Sequence, residues 1–195
     1  MSLKEAATIT AGASTAWKAL FKEGGLEKGQ KVLIHAAAGG VGQFAVQLAK
    51  WKGAEVIGTV STDNIEFIKS LGADQAIDYR NIPFEEVVSN IDLVIDAVGG
   101  DILERSWSII KKGGTLVSLV QPPSEEKGKE FDIQTRFNTS EATQEDLCIL
   151  AQLLAEGTIH AEIEKIYPLH EVRKAHQKSE LGHARGRILL QINSN

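Results

Sequence analysis

Residues 31–50, KVLIHAAAGGVGQFAVQLAK, constrain the fold more than any other stretch of the chain. The short apolar run at 31–36 ends directly in Ala37-Ala38-Gly39-Gly40-Val41-Gly42. Apolar residues then recur at helical spacing as Val41, Phe44, Ala45, Leu48 and Ala49. A strand that turns through glycines into a helix is the phosphate-binding corner of a βαβ unit. Gly39 and Gly40 carry no side chain, so their backbone can approach a phosphate. Gly42 lets the helix pack onto the strand. The helix N-terminus adds unpaired N–H groups and a partial positive charge. Ala38, Gly39, Gly40, Val41 and Gly42 are therefore candidate pyrophosphate ligands. Ala37 departs from the first glycine of G-x-G-x-x-G.

The rest of the chain continues the alternation. Strands are expected at 55–60, 75–78, 93–97, 115–120, 163–167 and 187–192, and helices at 5–25, 64–71, 84–89, 102–110, 145–156 and 169–179. The polar stretch 121–138, with Pro122-Pro123, reads as a surface loop. Several strands are continuous apolar runs, which suits a parallel sheet covered on both faces. The pattern predicts an α/β Rossmann fold: a doubly wound parallel sheet of about six strands, helices on both faces and right-handed crossovers.

Composition narrows the function. The 195 residues fit one domain, and a net charge of −5 argues against a nucleic-acid or anionic-membrane partner. No apolar run approaches the ~18–20 residues of a membrane span, and no secretory signal opens the chain. The single cysteine, Cys148, can form neither an internal disulfide nor a multi-cysteine metal site. It falls within an expected helix with no His or Cys at ligand spacing, and is expected to be a buried apolar residue. A reducing, cytoplasmic setting follows. Helical sequence begins abruptly after Met1-Ser2-Leu3, as though upstream sequence were absent.

The end of the second strand reads the adenosine ribose. NAD-preferring Rossmann domains place an acid there for the 2′-hydroxyl. Here the strand ends Val60-Ser61-Thr62, with Asp63 following. A hydroxyl at Ser61 or Thr62 does not repel a 2′-phosphate, which favours NADP(H). Tyr79-Arg80, after the third strand, could bond that phosphate through hydroxyl or guanidinium.

These residues carry a family resemblance. Ala13-Ser14-Thr15-Ala16-Trp17, His35 through Gly42, Leu71-Gly72-Ala73-Asp74, Ile77-Asp78-Tyr79, Asp96-Ala97-Val98-Gly99-Gly100, Lys112-Gly113-Gly114 and Gly182-His183-Ala184-Arg185-Gly186 occur in family order over nearly the whole chain. The chain resembles the cofactor domain of the medium-chain dehydrogenase/reductase superfamily, in its zinc-independent quinone oxidoreductase branch. The resemblance implies NADPH-dependent reduction of a small molecule, a quinone or an activated alkene or carbonyl. It implies that Tyr79 contacts the 2′-phosphate. It also implies that Thr15, Ala97, Val98, Leu119, Val120, Phe137 and Asn138 surround the nicotinamide and its ribose. Zinc-dependent members carry a cysteine ligand four residues before the threonine. That position is Ala11 here, so no metal is expected. The family's N-terminal GroES-like substrate domain has no counterpart in the chain. The branch commonly forms homodimers through the cofactor domain. Edge pairing by the fifth or sixth strand, with the segment 121–131, is the expected contact.

No catalytic residue stands out. His35, at the end of the first strand, reads as structural. His160 and His183 fall in expected loops, and His170 and His176 lie six apart in one expected helix, which is not a ligand spacing. Absent catalytic side chains matter less where a nicotinamide carries the hydride. The isolated chain is expected to bind cofactor and to be a poor enzyme. Two other readings remain: a non-catalytic NADP(H)-sensing module, and a methyltransferase, against which the lack of an acid at Ser61 argues.

Overall fold

The computed structural model describes residues 2–139, 141–182 and 185–192. Met1, His183 and Ala184, singled out in the sequence, lie outside the described residues. Six strands form one parallel sheet in the order β3-β2-β1-β4-β5-β6. They are β1 (Lys31–Ile34), β2 (Glu55–Val60), β3 (Gln75–Asp78), β4 (Ile91–Asp96), β5 (Ile110–Ser118) and β6 (Gln134–Phe137). This is the doubly wound order whose direction reverses between β1 and β4, the switch point where such sheets bind ligands.

Apolar alternation puts a core on each face. From β1 and β4, Val32, Ile34, Leu93 and Ile95 pack into one core with Phe44, Leu48, Ile68 and Leu150. Leu33 and Val94 turn the other way, against Phe84, Leu103, Trp107 and Leu116. Burial on both faces is why these strands read as unbroken apolar runs. The first core is covered by α3 (Gly42–Lys52), α4 (Ile65–Ser70) and α8 (Gln144–Ala155), and the second by α5 (Phe84–Val87) and α6 (Gly100–Ser106).

Five expectations need correction. The 121–138 stretch is not one loop: it holds α7 (Glu125–Phe131) and β6. Ser124 caps α7 by accepting the Lys127 N–H at 3.3 Å. Polar β6 hides from pattern reading because it is an edge strand, half exposed along its length. The segment expected as the sixth strand, β7 (Ile163–Pro168), is not in the main sheet; it pairs in parallel with β8 (Arg187–Gln191) as a separate two-stranded sheet. The N-terminal helix is not uniform. It alternates α1 (Leu3–Thr8), a π segment (Ile9–Ala13), α2 (Ser14–Trp17) and a second π segment (Lys18–Glu23). Cys148 is exposed, because α8 turns Leu150, Leu153 and Leu154 inward and leaves Cys148 on its outer side. His170 stands in a 3-10 turn before α9 (Val172–Glu180), not in the same helix as His176.

The small sheet is fastened to the large one at the glycine turn. The Gly186 N–H donates to the Ala38 carbonyl at 2.9 Å, and Gly39 and Gly186 form a parallel bridge. Two glutamines one helical turn apart on α3 grip the backbone leading into β7. Gln43 accepts the Glu162 N–H (2.6 Å) and donates to the Glu162 carbonyl (3.0 Å). Gln47 does the same with His160, at 2.7 and 2.9 Å.

Candidate functional site

The glycine turn is shaped by close backbone approaches. Ala36 takes a left-handed φ of 53° and starts the reversal. The Ala37 N–H donates to the Thr59 carbonyl (3.1 Å), and the Gly39 N–H to that of Ala36 (2.9 Å). A Cβ on Gly42 would lie 2.7 Å from backbone atoms of Ala37, so no larger residue fits there. Helix α3 starts at Gly42 without a side-chain cap, and the Val41 N–H has no partner among the described residues. Gly40 is enclosed on two sides. A Cβ on Gly12, in the first π segment, would lie 2.6 Å from the Gly40 carbonyl oxygen, and a Cβ on Gly40 would lie 2.5 Å from Cδ of Arg187. The π segment thus brings the N-terminal helix against the turn.

Beside the turn, at the C-terminal ends of β1 and β2, lies a cavity of about 370 Å³. Of the residues singled out in the sequence, Ala38, Gly39, Ser61, Tyr79 and Val98 line it. Gly40, Val41, Gly42 and Thr62 do not. Ser61 is buried, and its oxygen accepts from Asn64 Nδ2 at 3.1 Å, which leaves its own O–H to donate elsewhere. Thr62 instead donates to Asp78 at 2.6 Å. Asp78 also receives Asn81 Nδ2 (2.8 Å) and the Arg80 N–H (3.1 Å). The Thr62 bond leads in holding the Asp78 carboxyl below the usual carboxylate range. Asp63 is exposed, in the turn beyond β2.

Sequence reasoning missed much of the cavity wall: Asn64, Phe84 and Ile102 line it beside His35. Nothing in a single sequence ties Phe84, in a one-turn helix, to this place. His35 is buried between Thr59 (Nδ1 to Oγ1, 3.0 Å) and Ser106 (Nε2 to Oγ, 3.0 Å). The Ser106 hydroxyl hydrogen is committed to the Ile102 carbonyl at 2.7 Å. Ser106 must therefore accept from His35, which puts the proton on Nε2 and makes Nδ1 the acceptor for Thr59. Burial outweighs the attraction of Asp96 and lowers the His35 pKa to about 4, so the ring is neutral near pH 7. Phe84 stands edge-on to it at 4.7 Å.

The second group of candidate residues gathers at the ends of β4, β5 and β6, outside the cavity apart from Val98. Asp96 organises them. Buried, it accepts from the N–H groups of Val98 (3.0 Å) and Gly99 (2.8 Å) and from the Ser118 hydroxyl (2.8 Å). Its carbonyl takes the Leu119 N–H at 2.8 Å. The Asn138 N–H donates to the Ser118 carbonyl at 3.0 Å, and Asn138 Nδ2 reaches the Thr15 carbonyl at 3.5 Å. Thr15, Leu119 and Asn138 are thus brought to one end of the sheet, with Ala97 and Val120 in the adjoining turns and Phe137 at the end of β6. Val98 and Val120 are 50% and 51% exposed, an apolar lip left bare.

The model of the zinc-binding dehydrogenase family matches residues 71–190. A probable zinc-binding oxidoreductase, mitochondrial, from Arthroderma benhamiae is 34% identical over 98% of the chain and 63% of its own length. The mouse mitochondrial NAD(P)H oxidoreductase RTN4IP1 is 33% identical over 96% of the chain and 55% of its own length. The structure of the quinone oxidoreductase from Coxiella burnetii superposes with a TM-score of 0.88 at 36% identity, over 96% of the chain and 60% of that protein. The chain spans about 55–63% of the length of these curated relatives. Both are mitochondrial by name, which overturns the cytoplasmic setting read from the sequence. An unpaired cysteine argues only against a disulfide framework and does not tell one reducing compartment from another. The zinc in the family's name finds no fit here: among the described residues no three His, Cys, Asp or Glu side chains could hold a metal ion.

Proposed function

The chain belongs to the zinc-binding dehydrogenase family of the medium-chain dehydrogenase/reductase superfamily, matching the C-terminal portion of its members, and from that membership we propose that it binds NADP(H). The observation that carries the choice of cofactor is Ser61. It lines the cavity with a hydroxyl hydrogen free to donate, Tyr79 stands beside it, and the one acid of that strand end, Asp63, faces solvent. The turn from Ala38 to Gly42 would hold the pyrophosphate on backbone N–H groups and the helix dipole. Thr15, Ala97, Val98, Leu119, Val120, Phe137 and Asn138 would frame the nicotinamide and its ribose. Bound there, the nicotinamide supplies a hydride. The chain's own part is to fix the dinucleotide's two ends, one in the cavity and one at the Asp96-organised turns, and to keep water from its apolar face with Val98 and Val120. The whole protein would reduce a quinone or an activated alkene or carbonyl, with a small-molecule acceptor completing the site.

Ser61→Asp tests the cofactor choice. A carboxylate at the 2′-phosphate position should weaken NADPH by about tenfold or more, an effect of roughly 1.4 kcal/mol, and leave NADH unweakened. Unchanged NADPH affinity would place the phosphate elsewhere. NADPH oxidation by the whole protein against a panel of quinones, enones and aldehydes tests the acceptor; turnover of none of them sinks that part of the proposal. The resemblance also supports a homodimer through the cofactor domain; the sixth strand expected to pair, 163–167, is β7 and lies outside the main sheet, so the edge open for pairing among the described residues is that of β6, next to the fifth strand. A monomeric mass in sedimentation at micromolar concentration would contradict it.

A further inference from the structure

We propose that Asp146, at the start of α8, is a positioning residue for the nicotinamide end of the site: through Trp17 it fixes the register of the N-terminal helix, and with it the place of Thr15 against Asn138. The inference rests on the dinucleotide reading above and adds to it a carboxylate that stands outside the site.

Three donors converge on this buried side chain. Trp17 Nε1 donates to Oδ1 at 2.9 Å, and Lys22 Nζ lies 3.2 Å from the same oxygen. The Thr143 N–H donates to Oδ2 at 3.0 Å, while the Thr143 hydroxyl accepts the Asp146 N–H at 3.2 Å and closes a capping box. Burial alone would raise the Asp146 pKa. The bonds from Thr143, Lys22 and Trp17 outweigh it and hold the carboxyl below the usual range, so the group is a buried charge near pH 7. An aspartate is rarely buried unless it is paired. Here the cap supplies one partner, and the N-terminal helix supplies the other two.

The helix that Asp146 grips is the irregular one. Trp17 and Lys22 are five residues apart and would stand about 140° apart on an α-helix. The second π segment, with its i to i+5 bonds, turns both toward α8. A return of that segment to α geometry would turn Ser14–Trp17 by one residue, roughly 100°, and carry the indole N–H away from the carboxylate. Thr15 lies in that run. Its carbonyl meets Asn138 Nδ2 at 3.5 Å, and Asn138 follows β6, the last strand before α8. One carboxylate thus ties the helix that carries Thr15 to the element that follows Asn138.

The test is a set of titrations of the chain, Asp146→Asn and Trp17→Phe with NADPH, NADH and adenosine diphosphate, which lacks the nicotinamide end. Asp146→Asn keeps the shape but leaves one acceptor oxygen where two are needed. Trp17→Phe removes the indole N–H, leaves the capping box whole, and carries the test if Asp146→Asn does not fold. Each variant should weaken both dinucleotides about fivefold or more, by lowering the fraction of chain in the competent register, and leave adenosine diphosphate unchanged. Dinucleotide affinities that move in neither variant would overturn the proposal. So would an equal loss of all three ligands, which assigns the carboxylate to the fold alone, or a loss in Asp146→Asn that Trp17→Phe does not share, which assigns it to the helix cap. An unsubstituted chain that binds neither dinucleotide defeats the underlying reading and this proposal together. A chain that prefers NADH defeats the choice of cofactor alone, and the same loss in both variants then supports the proposal.

Discussion

The two sheets are held by different forces. In the six-stranded sheet β1, β2 and β4 are buried almost throughout, between apolar cores on both faces. In the β7–β8 pair only Tyr167 is buried, and β8 runs out into solvent. What ties the pair to the domain is polar: the amides of Gln43 and Gln47 and the bridge from Gly186 to the turn. The glycine turn is therefore a joint. One side is fixed by hydrophobic burial, and the other can loosen at the cost of a few hydrogen bonds. Local stability should fall off across it, from the large sheet to the small one.

Substitutions can break this contrast in order of effect. Phe44→Ala removes a fully buried ring from the core under α3. It should cost about 3–5 kcal/mol and lower the denaturant midpoint of both sheets together. Acid should act next, also on the large sheet. The unfolded chain takes up a proton on His35 near pH 6.5, and the folded chain refuses it down to about 4. Stability should therefore fall as pH drops through that window, by roughly 3 kcal/mol when the drop is complete. His35→Gln should flatten that part of the pH profile; an unchanged profile would mean that another group carries it.

Gln43→Ala combined with Gln47→Ala should cost roughly 2–4 kcal/mol. The loss should show as faster hydrogen exchange in 160–168 and 187–191, while β1, β2 and β4 keep their protection. Uniform loss of protection would erase the distinction between the sheets. Cys148→Ser, at an exposed position of α8, should move stability by no more than about 0.5 kcal/mol.

The same contrast explains what could be read from the sequence. Where burial dominates, residue type follows geometry. Apolar runs gave away β1, β2 and β4, and the glycine turn announced the joint because only glycine fits at Gly42. The strands β7 and β8 were themselves legible at 163–167 and 187–192, but polar β6 and the separation of the β7–β8 pair from the main sheet are specified by pairing and by hydrogen bonds to distant backbone, such as Gln43 with Glu162, which leave no periodic trace. So it is with the site. Ser61 and Tyr79 follow strand ends and were legible, whereas Phe84 and Asn64 enter the cavity wall through tertiary packing. Thr62 was legible by position but not by role, since its hydroxyl bonds Asp78.

The central claim is that the large sheet carries an NADP(H) site whose 2′-phosphate end is Ser61 and Tyr79. Direct titration of the chain with NADPH and with NADH under one set of conditions tests it most simply. Tighter binding of NADPH, narrowed by Tyr79→Phe, is the predicted result. Equal or tighter binding of NADH would contradict it.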